Sequence, residues 1–110
     1  MFSVQFINAN AKEEFMALPS KLKAKMAHTI GLLEEFGNNL GEPHSKKLQS
    51  DLFELRVKAR EGIARAIYAY EKNRAILILL VFVKTTQKTP ERFLKTAQQR
   101  LKDFQNGKCT

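Results

Sequence analysis

The sequence predicts one α+β domain, in which a small, mainly antiparallel sheet packs against a helical hairpin and a C-terminal helix. Residues 2–6 and 53–58 alternate apolar and polar side chains with the two-residue period of a strand. Residues 22–36 and 93–104 repeat apolar side chains at helical spacing. The chain has 110 residues and is 44% hydrophobic, which suits a single core and is too short for two.

The N-terminus is predicted to form the first strand and a short helix. The alternation at residues 2–6 places Phe2, Val4 and Phe6 on one face of that strand. Asn10 and Glu13 have the spacing of a capping box, which opens a helix. The proline and serine at residues 19–20 end this helix before a longer one begins.

The second helix is the longer of the two, and we expect the pair to form a hairpin. Its apolar stripe consists of Leu22, Met26, Ile30, Leu33 and Phe36. Gly37 can end the helix, because glycine adopts the left-handed backbone of a C-terminal cap. Residues 37–50, which are rich in Gly and Asn, predict an extended loop between the two halves of the domain.

The second half of the chain predicts a three-stranded meander and a final helix. Strands are expected at residues 53–58, 63–70 and 75–83, with turns between them. The last strand is apolar at every position, which indicates a central strand covered on both faces, with the first strand on its far side. Thr89 as cap and Pro90 as first residue then predict the start of the C-terminal helix.

The charge of the chain favours a polyanionic partner. Nineteen Lys and Arg against eleven Asp and Glu give a net charge of +8. The residues up to Ser45 hold four basic and five acidic side chains, and those after it hold fifteen and six. Because apolar residues are interleaved with the C-terminal cations, we expect the charges to decorate folded elements and not a disordered tail.

Several classes of protein and site are disfavoured. The longest apolar run has nine residues, against roughly 20 for a membrane-spanning helix, and no secretory signal is recognisable, so we expect a cytoplasmic protein without membrane contact. The single Cys109 cannot form an internal disulfide. Metal-ligand spacing, a phosphate-binding glycine loop and a serine-nucleophile motif are all missing, so no cofactor is expected. His28 and His44 are interpreted as structural residues, and Tyr68 and Tyr70 as core or edge aromatics.

The predicted meander gathers cations on one face. Alternation places Glu54, Arg56 and Lys58 together, and an antiparallel neighbour can bring Arg65 within about 5 Å of them. Like charges at this distance repel one another, so a bound anion such as phosphate would explain the arrangement. A solvated face with long side chains spread apart is the alternative. Glu54 can serve as a counter-ion or as a general base.

Three segments carry a resemblance to a known family: residues 52–58 (LFELRVK), 62–68 (GIARAIY) and 82–90 (FVKTTQKTP). Together with the GEPH loop at 41–44 and the following KKL, they resemble the RelE/ParE toxin superfamily, most closely its HigB-like, phage-associated branch. The resemblance covers about residues 4–103. It implies a toxin that enters the ribosomal A site and cleaves mRNA, and that a cognate antitoxin, of the helix-turn-helix type, holds inactive.

The resemblance also implies roles for individual residues in a metal-free cleavage by the RNA's own 2′-hydroxyl. Arg65 matches the arginine that contacts the scissile phosphate, and Arg56 and Lys58 match the preceding basic pair. Lys58, or failing it Glu54, would be the base, and Lys84 would bind phosphate or assist the leaving group. The remaining candidates for RNA binding are Lys46, Lys47, Arg60, Arg74 and Lys88. Relatives place a His or Tyr near the C-terminal end, where this chain has only residues 84–88 (KTTQK).

Two other functions remain open at this point. A ParE-like toxin would block DNA gyrase without cutting RNA, which the retained arginines and lysines of the strand face argue against. A non-catalytic protein would use the same cations to dock nucleic acid or an acidic antitoxin segment.

Overall fold

The predicted α+β class is confirmed, and the predicted elements occur in the predicted order, with a short additional strand at residues 45–47. A computed structural model describes residues 1–49, 51–84 and 88–107, so Ser50, residues 85–87 and Cys109 lie outside the described residues. The elements are β1 (Ser3–Phe6), α1 (Ala9–Met16), α2 (Ser20–Phe36), a 3-10 helix (Gly37–Asn39), β2 (Ser45–Lys47), β3 (Phe53–Ala59), β4 (Gly62–Glu71), β5 (Ala75–Lys84) and α3 (Glu91–Gln105). None of the helices in these ranges has the length and apolar character needed to cross a membrane.

The five strands form one sheet in the order β1-β5-β4-β3-β2. β1 runs parallel to β5, and the other neighbours are antiparallel. β5 therefore lies centrally with β1 on its far side, as its uninterrupted apolar sequence predicts, and residues 76–82 are buried. The expectation of an extended loop over residues 37–50 is wrong in part, because Ser45–Lys47 pairs with Phe53–Leu55.

Each face of the sheet has its own hydrophobic core. On one face α2 packs through Leu22, Met26 and Leu33 against a cluster that includes Tyr68. Tyr70 lies against the same cluster, so the two tyrosines are core aromatics as predicted. On the other face α3 packs against the second cluster, in which Phe93 of α3 contacts the ring of Phe82 with 4.5 Å between centroids. The sheet is therefore a shared middle layer, and α3 covers only part of its face.

The predicted helix starts and one helix face need correction. α1 is capped by Asn8 and not by Asn10, because Asn8 has extended backbone and its Oδ1 accepts the N–H of Ala11 at 2.9 Å. On α2, Phe36 is 45% exposed, whereas Thr29 is buried in the apolar stripe. For α3, Pro90 occupies the cap position without any side-chain cap bond. The hydroxyl of Thr89 is instead used in the site described below.

Candidate functional site

Cross-strand register brings six of the predicted side chains to the α3 side of the sheet. Directly opposed residues on neighbouring strands share a face of the sheet. Lys46 lies opposite Glu54, and Arg56 lies opposite Arg65. Lys58 lies opposite Ile63, which in turn lies opposite Lys84 on the next strand. The six residues are Lys46, Glu54, Arg56, Lys58, Arg65 and Lys84. We call them the cationic face. It lies beside the start of α3, because Thr89, two residues before that helix, contacts Glu54 and Arg65.

Arg56 and Arg65 are directly opposed on this face. The backbone N–H of Arg56 donates to the carbonyl of His44 at 3.0 Å, so the peptide groups of Arg56 point away from β4. Arg56 and Arg65 therefore form a non-hydrogen-bonded pair, in which opposed Cα atoms lie about 4.5 Å apart and side chains are nearest. Two guanidinium groups placed in this way repel each other unless an anion lies between or beside them.

Glu54 supplies that negative charge from a fully buried position. Arg65 Nη1 donates to Glu54 Oε1 at 2.5 Å, and the exposed fraction of Glu54 is 0%. Thr89 Oγ1 donates to Glu54 Oε2 at 2.6 Å and lies 3.4 Å from Arg65 Nη1. Arg65 and Thr89 are each 6% exposed, so the three side chains form a buried cluster at the entrance to α3. This is the geometry of a counter-ion, since both carboxylate oxygens are occupied within the protein.

The surroundings of Lys84 on the cationic face lower the pKa of its side chain. Desolvation lowers the pKa of its ammonium from 10.5, and the positive charges of Arg65 and Arg56 lower it further. Glu54 opposes this effect, and the charge of Lys46 adds to it. The effect of Arg65 agrees with the register, because Lys84 is diagonal to Arg65 on the neighbouring strand. A lysine with a lowered pKa can exchange a proton nearer to neutral pH than an ordinary lysine.

Lys58 lies at the open edge of β3, where β2 no longer pairs with it. Its carbonyl accepts a hydrogen bond from Lys25 Nζ at 2.7 Å, and the residue borders a groove of about 560 Å³ between β3 and α2. His28 and His44 line the same groove, as does Arg56. No carboxylate is among its lining residues, all of which the structure describes. Arg56 thus borders both the cationic face and the groove.

The other predicted RNA-binding residues are dispersed. Lys47 lies on the α2 side of the sheet, with its Nζ 6.0 Å from the ring centre of Phe53. Arg74 is in the β4–β5 turn at the far end of the sheet, and its guanidinium stacks 4.3 Å from the ring centre of Phe2. Arg60 is exposed in the β3–β4 turn, and Lys88 is exposed beside Thr89. Of residues 84–88, where the resemblance leads us to expect a His or Tyr, residues 85–87 lie outside the described residues.

Thr89 is the member of this site that sequence reasoning missed. A Thr-Pro-Glu sequence is typical of a helix N-terminus, which explains the prediction that Thr89 caps α3. Its contact with Glu54 spans 35 residues of sequence, and no local pattern predicts such a contact. The burial of Glu54 was also hidden, because alternation along β3 places it on the polar face and does not reveal that α3 begins beside it.

The fold and the site together define the class as a small basic protein with the architecture of RelE-type toxin structures. The structure of a mutant of the E. coli toxin RelE in the free state matches with a TM-score of 0.64 and 15% identity, covering 90% of this chain and 96% of that one. The toxin–antitoxin complex RelBE2 from Mycobacterium tuberculosis matches with a TM-score of 0.56 and 21% identity, covering 76% of this chain and 98% of that one. At these identities the similarity concerns the fold.

The sequence gives a direct assignment to a family. The chain belongs to the family of phage-derived Gp49-like proteins (DUF891), which matches residues 13–102. That range includes all six residues of the cationic face and Thr89. None of the curated proteins matches this sequence.

Proposed function

We propose that the protein is the toxin of a toxin–antitoxin pair, of the HigB-like branch, and that it cleaves mRNA on the ribosome. The observation that carries the proposal is the cationic face. Within the described residues two ion pairs are formed, Arg65 with Glu54 and Arg100 with Glu14, and neither includes Lys46, Arg56, Lys58 or Lys84. Among the described residues these four side chains therefore have no ion-pair partner, and a phosphodiester is the anion that a ribosomal site presents in abundance.

The reaction needs only the RNA and amino-acid side chains. The 2′-oxygen of the ribose attacks the adjacent phosphorus, the bond from phosphorus to the 5′-oxygen breaks, and a 2′,3′-cyclic phosphate and a 5′-hydroxyl result. One group accepts the 2′ proton and another donates a proton to the 5′-oxygen. Arg56 and Arg65 would stabilise the additional negative charge on the pentavalent phosphorus in the transition state.

Lys84 and Lys58 are the two candidates for proton transfer. The lowered pKa of Lys84 makes its neutral form more accessible, which suits a general base. Lys58, at the groove edge, would then bind the next phosphate of the strand. Glu54 is unsuited to proton transfer because it is fully buried and both of its oxygens are engaged.

A cognate antitoxin and a cytoplasmic ribosome are the proposed partners. The RelBE2 structure is a toxin–antitoxin complex, which supports an antitoxin for a chain of the same fold. The net charge of +8 supports attraction to ribosomal RNA. Expression of the protein alone should arrest growth, and co-expression with the product of the adjacent gene, expected to be a helix-turn-helix protein, should restore it.

Cleavage of a defined mRNA on translating ribosomes tests the enzymatic part of the proposal. The wild type should cut at the A-site codon, and Lys84→Gln should lower the rate by roughly 10²- to 10⁴-fold, the usual contribution of a proton-transferring group. Lys72→Gln is the matched control, because Lys72 is exposed in the turn at the opposite end of β5. Intact mRNA together with inhibited DNA supercoiling would instead establish the gyrase-directed alternative. Intact mRNA together with normal DNA supercoiling would favour the non-catalytic docking protein.

A further inference from the structure

We propose that Glu54 and Thr89 are positioning residues, which hold the Arg65 guanidinium in one orientation. Through Thr89, that orientation depends on the position of α3 against the sheet. The catalytic consequence rests on the proposed function. The positioning itself is a property of the folded chain, and it is open to measurement without any substrate.

The hydrogen bonds of the buried cluster involve one end of the Arg65 guanidinium, and the other end takes no part in them. Both hydrogen bonds from Arg65 to described side chains, to Glu54 and to Thr89, start at Nη1. Nε is buried and has no acceptor among residues 1–49, 51–84 and 88–107. A guanidinium binds an oxyanion most specifically through two parallel N–H groups, so the edge formed by Nε and Nη2 is the one left for phosphate. A buried N–H without an acceptor also gains most from the arrival of one.

Glu54 is suited to positioning by its burial and its full set of partners. Its two oxygens are divided between Arg65 and Thr89, at 2.5 and 2.6 Å, and the carboxylate has no exposed surface. A charged group held in this way cannot turn toward a substrate, but it fixes the cation that it contacts. It also offsets the repulsion of Arg56 directly across the strand pair.

Thr89 connects this cluster to α3. It stands two residues before Glu91, the first residue of the helix, and Phe93 anchors that helix on Phe82 of β5. Phe82 is itself the cross-strand neighbour of Arg65. A displacement of α3 would therefore move the Thr89 hydroxyl away from Glu54 and loosen the hold on Arg65. The hydroxyl of Thr89 is thus the link between the helix and the arginine.

The test replaces the Thr89 hydroxyl without changing the size of the side chain. Thr89→Val should lower kcat for ribosomal mRNA cleavage roughly ten- to a hundredfold, with a smaller change in KM, because a misplaced group costs most in the transition state. Thr89→Ser, which keeps the hydroxyl, should restore kcat to within about threefold of the wild type. Thr96→Val is the matched control, since the Thr96 hydroxyl donates to the carbonyl of Arg92 on the same helix.

A second readout separates this proposal from the proposed function. In 15N–1H spectra the Arg65 side chain should give sharp, separate Nη signals in the wild type, in Thr89→Ser and in Thr96→Val. Thr89→Val should broaden or merge them while its backbone spectrum remains folded. If the wild type cuts no mRNA but these signals change as described, the function fails and the positioning stands. Unchanged Arg65 signals in Thr89→Val, or unchanged kcat in an active enzyme, would overturn the positioning.

Discussion

Lys84 illustrates how a single residue acquires its chemistry from neighbours on other strands. Desolvation and then the charges of Arg65 and Arg56 favour its neutral form, so its pKa lies below 10.5. In the unfolded chain these influences are absent, and Lys84 binds its proton up to higher pH. The charged form therefore costs stability at neutral pH. That cost disappears as the pH rises through the folded-state pKa toward the ordinary value.

The contribution of Arg56 to this shift can be measured at the residue itself. Arg56→Gln removes a positive charge beside Lys84, so the pKa of Lys84 should rise toward 10.5. An NMR titration of the Lys84 side-chain methylene next to the ammonium measures this directly. Arg74→Gln serves as control, because Arg74 lies at the far end of the sheet beside Phe2. Equal titration curves for wild type and Arg56→Gln would contradict the account of Lys84.

At the scale of elements, side chains complete a strand edge that β1 leaves open. β1 pairs with β5 only as far as Ile78. Beyond it, Glu14 of α1 accepts the N–H of Val81 at 3.1 Å, and Arg100 of α3 donates to the carbonyl of Leu79 at 2.8 Å. The two side chains also bind each other bidentately at 3.0 and 2.8 Å. This pair ties both helices to the central strand.

Glu14→Ala should therefore destabilise the fold although Glu14 is on a surface helix. The change leaves the Val81 N–H without an acceptor and removes the carboxylate partner of the half-buried Arg100, at a cost of about 2–4 kcal/mol for hydrogen bonds to a charged group. Urea unfolding monitored by circular dichroism measures the loss. Glu13→Ala, at the exposed neighbouring position, should change the free energy of unfolding by less than about 0.5 kcal/mol. A loss of similar size in both variants would contradict the role of Glu14.

Elements with several periods of apolar sequence were predictable, whereas elements made by distant contacts were not. Nine consecutive apolar residues identified β5 as the central strand, and the alternation at residues 53–58 identified both β3 and its charged face. β2 has three residues, too few for a period to be visible, and is held by pairing with β3. The convergence of Arg56 and Arg65 could be predicted from strand parity, but the contact of Thr89 with Glu54 depends on where α3 begins.

For the whole molecule, the sheet separates cations that are adjacent in sequence. Lys46 and Lys47 are both exposed on β2, yet Lys46 lies opposite Glu54 on the cationic face and Lys47 lies opposite Phe53 on the α2 side. If polyanions bind the cationic face, Lys46 should contact phosphate and Lys47 should not. The net charge of +8 attracts RNA to the molecule as a whole, and it falls by one charge whether Lys46 or Lys47 is replaced by Gln, so the net charge does not distinguish the two replacements.

The salt dependence of RNA binding isolates the contribution of each face. For single-stranded RNA, each phosphate contact contributes about 0.7 to the slope of log affinity against log salt concentration. Lys46→Gln should reduce the magnitude of this slope by roughly that amount, because one contact is removed. Lys47→Gln should leave the slope unchanged and lower affinity only slightly, through the smaller overall charge. Fluorescence anisotropy with a labelled oligonucleotide, at several salt concentrations, measures both slopes. Equal slopes for the two variants would mean that RNA does not bind preferentially to the cationic face. The proposal that this face is the binding surface would then be wrong.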